Sequence, residues 1–213
     1  MDGTLVDTEP VWIAAEYRLV ESYGHTWSDD HAHALVGSPL LVSAAYIREH
    51  GHVPLPAEEI VDRLLDEVIA GVRDELDWRP GARELLAEVK AAGLPTAMVT
   101  MSYRNLASVV AEQLPAGSFD TLVCGDDVQR GKPDPESYLL AAERLGVSPE
   151  SCVAIEDSPS GIGAAEAAGC IVIAVPNQVP IAPAPSRTVL PTLAGVALAD
   201  LEAIAATRRI SVG

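Results

Sequence analysis

The segment VAIEDSPSGIGAAEAAG, residues 153–169, decides the fold class of this chain. An apolar run at residues 152–155 leads into two adjacent acids, Glu156 and Asp157, and a Ser-Pro-Ser-Gly turn and a helix of small residues follow. In an open α/β sheet, ligands bind beyond the carboxyl ends of the strands, which is where these two acids fall. Neighbouring buried carboxylates are costly unless a cation or strong hydrogen-bond donors face them. The segment therefore predicts a strand, a ligand-binding turn and a helix.

Helix and strand signals alternate around this segment. The apolar runs predict strands at residues 95–100, 121–124, 152–155 and 170–175. The predicted helices span residues 82–92, 103–113, 135–145, 161–168 and 198–206, and the Pro-rich stretch 180–191 is predicted to be a loop. Such alternation is typical of the α/β class with a doubly wound parallel sheet, which is the fold we predict.

Residues 10–77 have a different pattern, with apolar positions at helical spacing and no strand signal. Four helices are predicted there, at residues 11–23, about 28–36, 39–50 and 56–76. The breaker Trp78-Arg79-Pro80-Gly81 ends this block. We therefore predict two domains, an α/β core of residues 1–9 and 79–213 and a helical domain of residues 10–78.

Composition limits the possible partners. The 213 residues are 48% hydrophobic and 21% charged, which is ordinary for a globular protein. A formal net charge of −17 disfavours binding to nucleic acid or to an anionic membrane surface. Three cysteines without short spacing predict neither a disulfide framework nor a zinc site. No apolar run reaches the roughly 18 residues of a membrane span, and no signal peptide is visible, so we expect a cytoplasmic protein. We also expect a monomer.

Polar residues fall where the predicted strands end. These are Asp2, Thr100, Lys132 and the pair Glu156 and Asp157. In a parallel sheet the carboxyl ends of all strands share one edge, so these side chains can converge. Acids provide the oxygen ligands that magnesium prefers, and a lysine with a hydroxyl suits phosphate oxygens. The pattern favours a magnesium-assisted reaction on a phosphate group.

At these positions the chain resembles the haloacid dehalogenase superfamily. The resemblance is carried by MDGTLVDTEP at residues 1–10, a helical insertion, Thr100, GKPDP at residues 131–135 and the EDSPSG stretch, in that order. It covers nearly the whole chain and is closest to the sugar-phosphate phosphatases and the β-phosphoglucomutase-like branch. It implies a Rossmann-like core with an inserted four-helix cap and a magnesium-dependent phosphatase of small phosphorylated metabolites, sugar phosphates above all.

The resemblance also implies residue roles. Asp2 is the expected general acid and base, and its backbone carbonyl is expected to face Mg2+. The expected phosphoryl-binding residues are Thr100 and Lys132, and the expected metal ligands are Glu156 and Asp157. Further contacts to substrate are expected from Gly3, Thr4 and Ser102 in the core and from Gly37 and Ser38 in the cap.

The first motif departs from the family in one respect. In the family the first motif has the pattern Asp-x-Asp-Gly, and its first aspartate is the nucleophile. Met1 stands at the x position, so the nucleophile and the apolar strand that leads into it fall before this sequence. The expectation is a native product longer by roughly ten or more residues, while the chain as numbered lacks the nucleophile.

Three alternatives share parts of this pattern. A phosphomutase has every motif named above and differs in whether water or a second sugar hydroxyl takes the phosphoryl group. A receiver-type signalling domain also places acids, threonine and lysine around magnesium, but the helical block of residues 10–77 argues against it because receivers carry no cap. A non-catalytic binding protein, or a catalytically silent truncated form, is motivated by the absent nucleophile.

Overall fold

The computed structural model describes residues 1–35 and 38–210. It divides the chain into two compact units, one formed by Met1–Asp7 with Asp77–Gly213 and one by Thr8–Leu76. In chain order the elements are β1 (Val6–Asp7), α1 (Glu9–Ser22), α2 (Asp29–Leu35), α3 (Leu40–His50), α4 (Ala57–Asp74), β2 (Asp77–Trp78), α5 (Ala82–Ala91), β3 (Ala97–Val99), α6 (Arg104–Glu112), β4 (Thr121–Val123), α7 (Glu136–Leu145), β5 (Val153–Glu156), α8 (Pro159–Ala167), β6 (Ile171–Ala174), β7 (Arg187–Val189) and α9 (Leu198–Ile210).

The helical unit is built around α4, which packs against both α1 and α3. One face of α4 is apolar at helical spacing and buried, and it carries Ile60, Val61, Leu64, Leu65, Val68 and Val72. The four helices predicted in this block are confirmed. Within the described part of the chain, no helix is both long and apolar enough to span a bilayer.

The α/β unit contains parallel strands in two groups. Strand β3 pairs with β4, and β6 lies between β5 and β7, with every pair parallel. The pairing confirms the predicted α/β class. A largely apolar cavity of about 640 Å³ is lined by both β3 and β5, together with side chains of α5, α7 and α9.

The structure differs from the strand predictions at two places. Strands β1 and β2, which were not predicted, pair antiparallel, Val6 with Trp78 and Asp7 with Asp77, although no strand signal was found up to residue 77. Strand β7 lies inside the predicted Pro-rich loop and pairs in parallel with β6, Thr188 opposite Ile173. These strands are two or three residues long. Strands this short are stabilised by hydrogen bonds to a partner strand, and the local sequence pattern does not show which strand that partner is.

Glu16 on α1 is a buried carboxylate in the helical unit. Glu16 is 6% exposed, and its carboxylate accepts a hydrogen bond of 3.2 Å from the Trp27 indole nitrogen. Burial raises the pKa of Glu16 to about 7, although the Trp27 bond acts in the opposite direction. The folded state therefore binds a proton at Glu16 more tightly than an unfolded chain does.

This difference predicts a pH-dependent stability of the helical unit. Because the pKa is higher in the folded state, stability from protonated Glu16 is present below about pH 4.5 and is lost as the pH rises to about 7. We expect Glu16→Gln, which mimics the protonated acid, to match the wild type at pH 4. At pH 8 it should be more stable on the order of 3 kcal/mol. Urea unfolding at both pH values measures this.

Glu21→Gln is the matched control, because Glu21 lies exposed on the same helix. Its stability relative to the wild type should change by no more than a few tenths of a kcal/mol between the two pH values. A Glu16→Gln difference that is independent of pH would refute the assignment.

Candidate active site

An ion pair between Lys132 and Glu156 lies at the carboxyl ends of β3 and β5. The Lys132 ammonium contacts Glu156 Oε1 and donates to the carbonyl oxygen of Val99 at 3.1 Å. The side chains of Lys132 and Glu156 are only 8% and 6% exposed. Burial acts to raise the pKa of Glu156, but the Lys132 ammonium and the hydrogen bonds that Glu156 accepts outweigh it, and the pKa is lowered. The pair is therefore a buried charge pair with Glu156 ionised.

Tyr138, on the first turn of α7, supports the same pair. Its hydroxyl donates to Glu156 Oε1 at 2.6 Å, and Lys132 Nζ lies 5.0 Å from the centre of its ring. Burial, reinforced by the Glu156 charge, raises the pKa of Tyr138 well above its usual range, so the hydroxyl keeps its proton and donates. Tyr138 was not predicted as a site residue, because its position in GKPDPESY, six residues after Lys132, is typical of an ordinary apolar contact of a helix.

Asp157 contacts the first motif. Its Oδ1 accepts a hydrogen bond of 2.7 Å from the Thr4 hydroxyl. Gly3 has a φ of +76°, and a Cβ there would lie 2.1 Å from Asp157 Oδ2, so only glycine fits this close approach. Burial is the main reason that the pKa of Asp157 is raised, and the Thr4 bond opposes the change. Residues 153 positions apart in sequence thus share one site.

Thr100 follows β3 and is 5% exposed. Its hydroxyl oxygen accepts a hydrogen bond of 3.1 Å from the amide of Ser102, and its own amide donates to the Val123 carbonyl at 2.9 Å. Because Val99 precedes it, Thr100 lies one residue from the carbonyl that receives the Lys132 ammonium. The predicted pair Thr100 and Ser102 therefore forms one local turn beside the ion pair.

The start of the chain lies in the same place. The Met1 amino group is buried, and its pKa is lowered by burial and then by the Lys132 charge, while Glu156, Asp157 and Asp2 act in the opposite direction. The Met1 carbonyl accepts hydrogen bonds from the amides of Leu5 and Val6 at 2.8 and 3.2 Å. Asp2 and Lys132 thus both act electrostatically on the Met1 amino group, as Glu156 and Asp157 do.

Two predicted residues belong to the other unit. Ser38 precedes α3, and its amide donates to the Leu35 carbonyl at 2.9 Å. Gly37 lies outside the residues that the structure describes. The core site is therefore formed by residues of the first motif, the Thr100 turn, Lys132 and the two acids.

The chain is similar to known proteins over most of its length. A family model described as haloacid dehalogenase-like hydrolase matches residues 1–169. The chain is 38% identical over 170 residues to a phosphorylated carbohydrates phosphatase of Thermotoga maritima, covering 79% of each. It is 33% identical over 180 residues to hexitol phosphatase B of Escherichia coli K12, covering 83% of this chain and 81% of that protein. CbbY of Rhodobacter sphaeroides, solved in complex with phosphate, superposes with a TM-score of 0.82 at 30% identity over 95% of this chain and 96% of that one.

Gly161 on α8 leaves room for the Glu156 carboxylate. A Cβ at residue 161 would lie 2.0 Å from Glu156 Oε2 and 2.3 Å from Oε1. Gly161→Ala should therefore displace the carboxylate from Lys132 and lower the free energy of unfolding by about 1–3 kcal/mol, although alanine is the better helix former. Urea denaturation measures the change.

Gly163→Ala is the matched control on the same helix. A Cβ there meets Pro133 Cβ at 3.4 Å, an ordinary contact. This variant should be neutral or more stable by up to about 1 kcal/mol, because it gains only helix propensity. Equal stability of the two variants would show that the Glu156 carboxylate does not depend on the space at residue 161.

Proposed function

The chain belongs to the haloacid dehalogenase-like hydrolases, and on that premise we propose that it is a magnesium-dependent phosphatase of small phosphorylated metabolites, sugar phosphates in particular. One observation carries the proposal: a buried ammonium, that of Lys132, is held between Val99 O and Glu156 Oε1 beside a second acid. The proposed partner is a phosphate monoester. The substrate class is supported by the named activities of the relatives, which are phosphatases of phosphorylated carbohydrates and of hexitols.

Lys132 and Thr100 bind the phosphoryl group in this proposal. The Lys132 ammonium has one contact to Glu156 and one to Val99 O, which leaves a third N–H for a phosphate oxygen. The Thr100 oxygen already accepts from the Ser102 amide, so its hydroxyl proton is available to a phosphoryl oxygen. Positive charge and a fixed donor stabilise the charge of a phosphoryl group in transfer.

The residues present fit a magnesium ion. Among residues 1–35 and 38–210, no group of three or more His, Cys, Asp or Glu side chains is arranged to hold a metal. Magnesium needs fewer, since one or two carboxylates with waters and substrate phosphate oxygens are its usual ligands. Glu156, Asp157 and the Asp2 carbonyl are the proposed ligands, and Gly3 lets the Asp157 carboxylate approach the first motif closely. A bound Mg2+ offsets phosphate charge there.

Asp2 acts as general acid and base in the proposed reaction, and the nucleophile is an aspartate bonded to the Met1 nitrogen. Its carboxylate oxygen attacks phosphorus, the bond from phosphorus to the ester oxygen breaks, and Asp2 gives that oxygen a proton. Water then attacks the phosphorus of the aspartyl phosphate, Asp2 takes a proton from that water, and the bond from phosphorus to the aspartate oxygen breaks, which releases phosphate and restores the nucleophile. The position of Met1 beside Lys132, Glu156 and Asp157 supports this assignment. We further propose that the strand leading into this aspartate fills the apolar cavity between β3 and β5.

The proposed chemistry predicts a metal-dependent activity that requires Asp2. On protein expressed from its natural gene with the upstream reading frame, phosphate release from a panel of sugar phosphates should stop in EDTA and return with Mg2+. Asp2→Asn should lower kcat by about 10²–10⁴-fold with little change in KM, because it removes proton transfer. A colorimetric phosphate assay, with a parallel search for isomerised sugar phosphate, separates a phosphatase from a mutase.

Asp120→Asn is the control for this measurement. Asp120 precedes β4 at the opposite edge of its strand pair, where its carboxylate pairs with Lys90 at 2.8 Å. The kcat of Asp120→Asn should equal that of the wild type. Turnover that survives both EDTA and Asp2→Asn would exclude the proposed reaction.

The proposed nucleophile before Met1 leads to a prediction about the rates of two forms of the protein. Residues 1–213 alone should release phosphate at least about a thousandfold more slowly than the protein with its upstream residues, because a covalent nucleophile is required. Replacing the aspartate before Met1 by asparagine in the longer protein should reduce kcat as severely. Full turnover by residues 1–213 alone would show that the nucleophile lies elsewhere.

A further inference from the structure

Tyr138 contacts both members of the buried ion pair. Its hydroxyl reaches Glu156 Oε1 at 2.6 Å, and its ring lies 5.0 Å below Lys132 Nζ. A cation over an aromatic face and a hydroxyl bonded to a carboxylate are both attractive. The Tyr138 side chain therefore restrains both the Glu156 carboxylate and the Lys132 ammonium.

The ring is fixed from the other side by the core. Tyr138 is 8% exposed and belongs to a cluster of apolar side chains from β5, from α8 and the residue that follows it, and from β6, namely Ala154, Ile162, Ala164, Ala165, Ala168, Val172 and Ala174. The loop before α7 is also held, since the Glu136 carboxylate accepts from the amides of Gln129 and Arg130 at 2.8 and 3.0 Å. The side chains of Lys132 and Tyr138 therefore both extend from one restrained segment of the chain.

Packing alone does not require the hydroxyl. A phenylalanine ring would fill the same space among these small side chains, and a buried hydroxyl costs free energy unless it finds a partner. Its partner is the carboxylate that also holds Lys132. The hydroxyl therefore matters for where the Glu156 carboxylate and the Lys132 ammonium stand.

We propose that Tyr138 is a positioning residue of the site: its hydroxyl fixes Glu156 Oε1 and its ring supports the Lys132 ammonium, so that the ammonium points at the carboxyl ends of β3 and β5. The value of this for catalysis rests on the proposed function, in which Lys132 binds phosphate and Glu156 faces Mg2+. The restraint on Lys132 itself is independent of any substrate.

The chain has two lysines, Lys90 and Lys132, and this allows a direct test. Labelling with acetic anhydride, read residue by residue by peptide mass spectrometry, compares Lys132 with Lys90, whose side chain is 25% exposed and paired with Asp120. In Tyr138→Phe, Lys132 should be labelled about five- to tenfold faster than in the wild type, with Lys90 unchanged, because the carboxylate that holds it loses a charge-assisted hydrogen bond. Tyr138→Leu, which also removes the ring, should give a larger increase.

Tyr46→Phe is the matched control. The Tyr46 hydroxyl bonds to His31 Nδ1 at 2.9 Å within the helical unit, so this variant loses one tyrosine hydrogen bond elsewhere. It should leave both lysines as in the wild type. Calorimetric titration with Mg2+ alone adds a second readout, and we expect about tenfold weaker binding in Tyr138→Phe than in Tyr46→Phe.

The outcomes separate the two proposals. Wild-type labelling of Lys132 in Tyr138→Phe overturns the positioning role, and so does an equal rise at both lysines with a lowered melting temperature, which is general loosening. A selective rise at Lys132 with an unchanged melting temperature supports the role even if no sugar phosphate is hydrolysed. Failure of hydrolysis in the natural-length protein would then count against the proposed function alone.

Discussion

The α/β unit depends on keeping one charge pair, Lys132 and Glu156, inside the protein. Removing two ions from water costs several kcal/mol each, and their attraction offsets this only when further hydrogen bonds complete the shell. Here the ammonium also donates to the Val99 carbonyl, and the carboxylate also accepts from the Tyr138 hydroxyl. The pair joins β3 to β5, the strands that flank the apolar cavity, so the position of each strand end is tied to the other.

Neighbouring features follow from this pair. The carboxylate occupies the space where residue 161 would carry a Cβ, which is why a glycine stands on the first turn of α8. The Ser158 side chain caps the same helix by accepting from the Gly161 amide at 3.1 Å. The Glu156 carboxylate and the capped first turn of α8 thus lie within a few residues of each other, at the carboxyl end of β5. This is the edge at which α/β sheets bind ligands.

Two buried glutamates show how environment sets charge. Glu156 and Glu16 are both about 5% exposed, yet the pKa of one is lowered and that of the other is raised to about 7. Glu156 faces an ammonium, whereas Glu16 receives one neutral indole hydrogen bond. Burial acts to raise the pKa of both, so the difference comes from the partner. Glu156 therefore keeps its negative charge beside Lys132, at the edge of the sheet where the candidate site lies.

The local sequence was enough to predict the fold class, the four helices before residue 77, the strands from β3 to β6 and the motif order that identifies the family, because periodicity, caps and motif residues are local. It also named Asp2, Thr100, Lys132, Glu156 and Asp157. Tertiary structure alone decided that β7 forms within a Pro-rich stretch, that β1 pairs with β2, and that Tyr138 and the Val99 carbonyl hold the ion pair. The physical reason is that strand pairing and the shell of a buried charge join residues far apart in the chain, such as Thr4 and Asp157, and no local pattern records which ones meet.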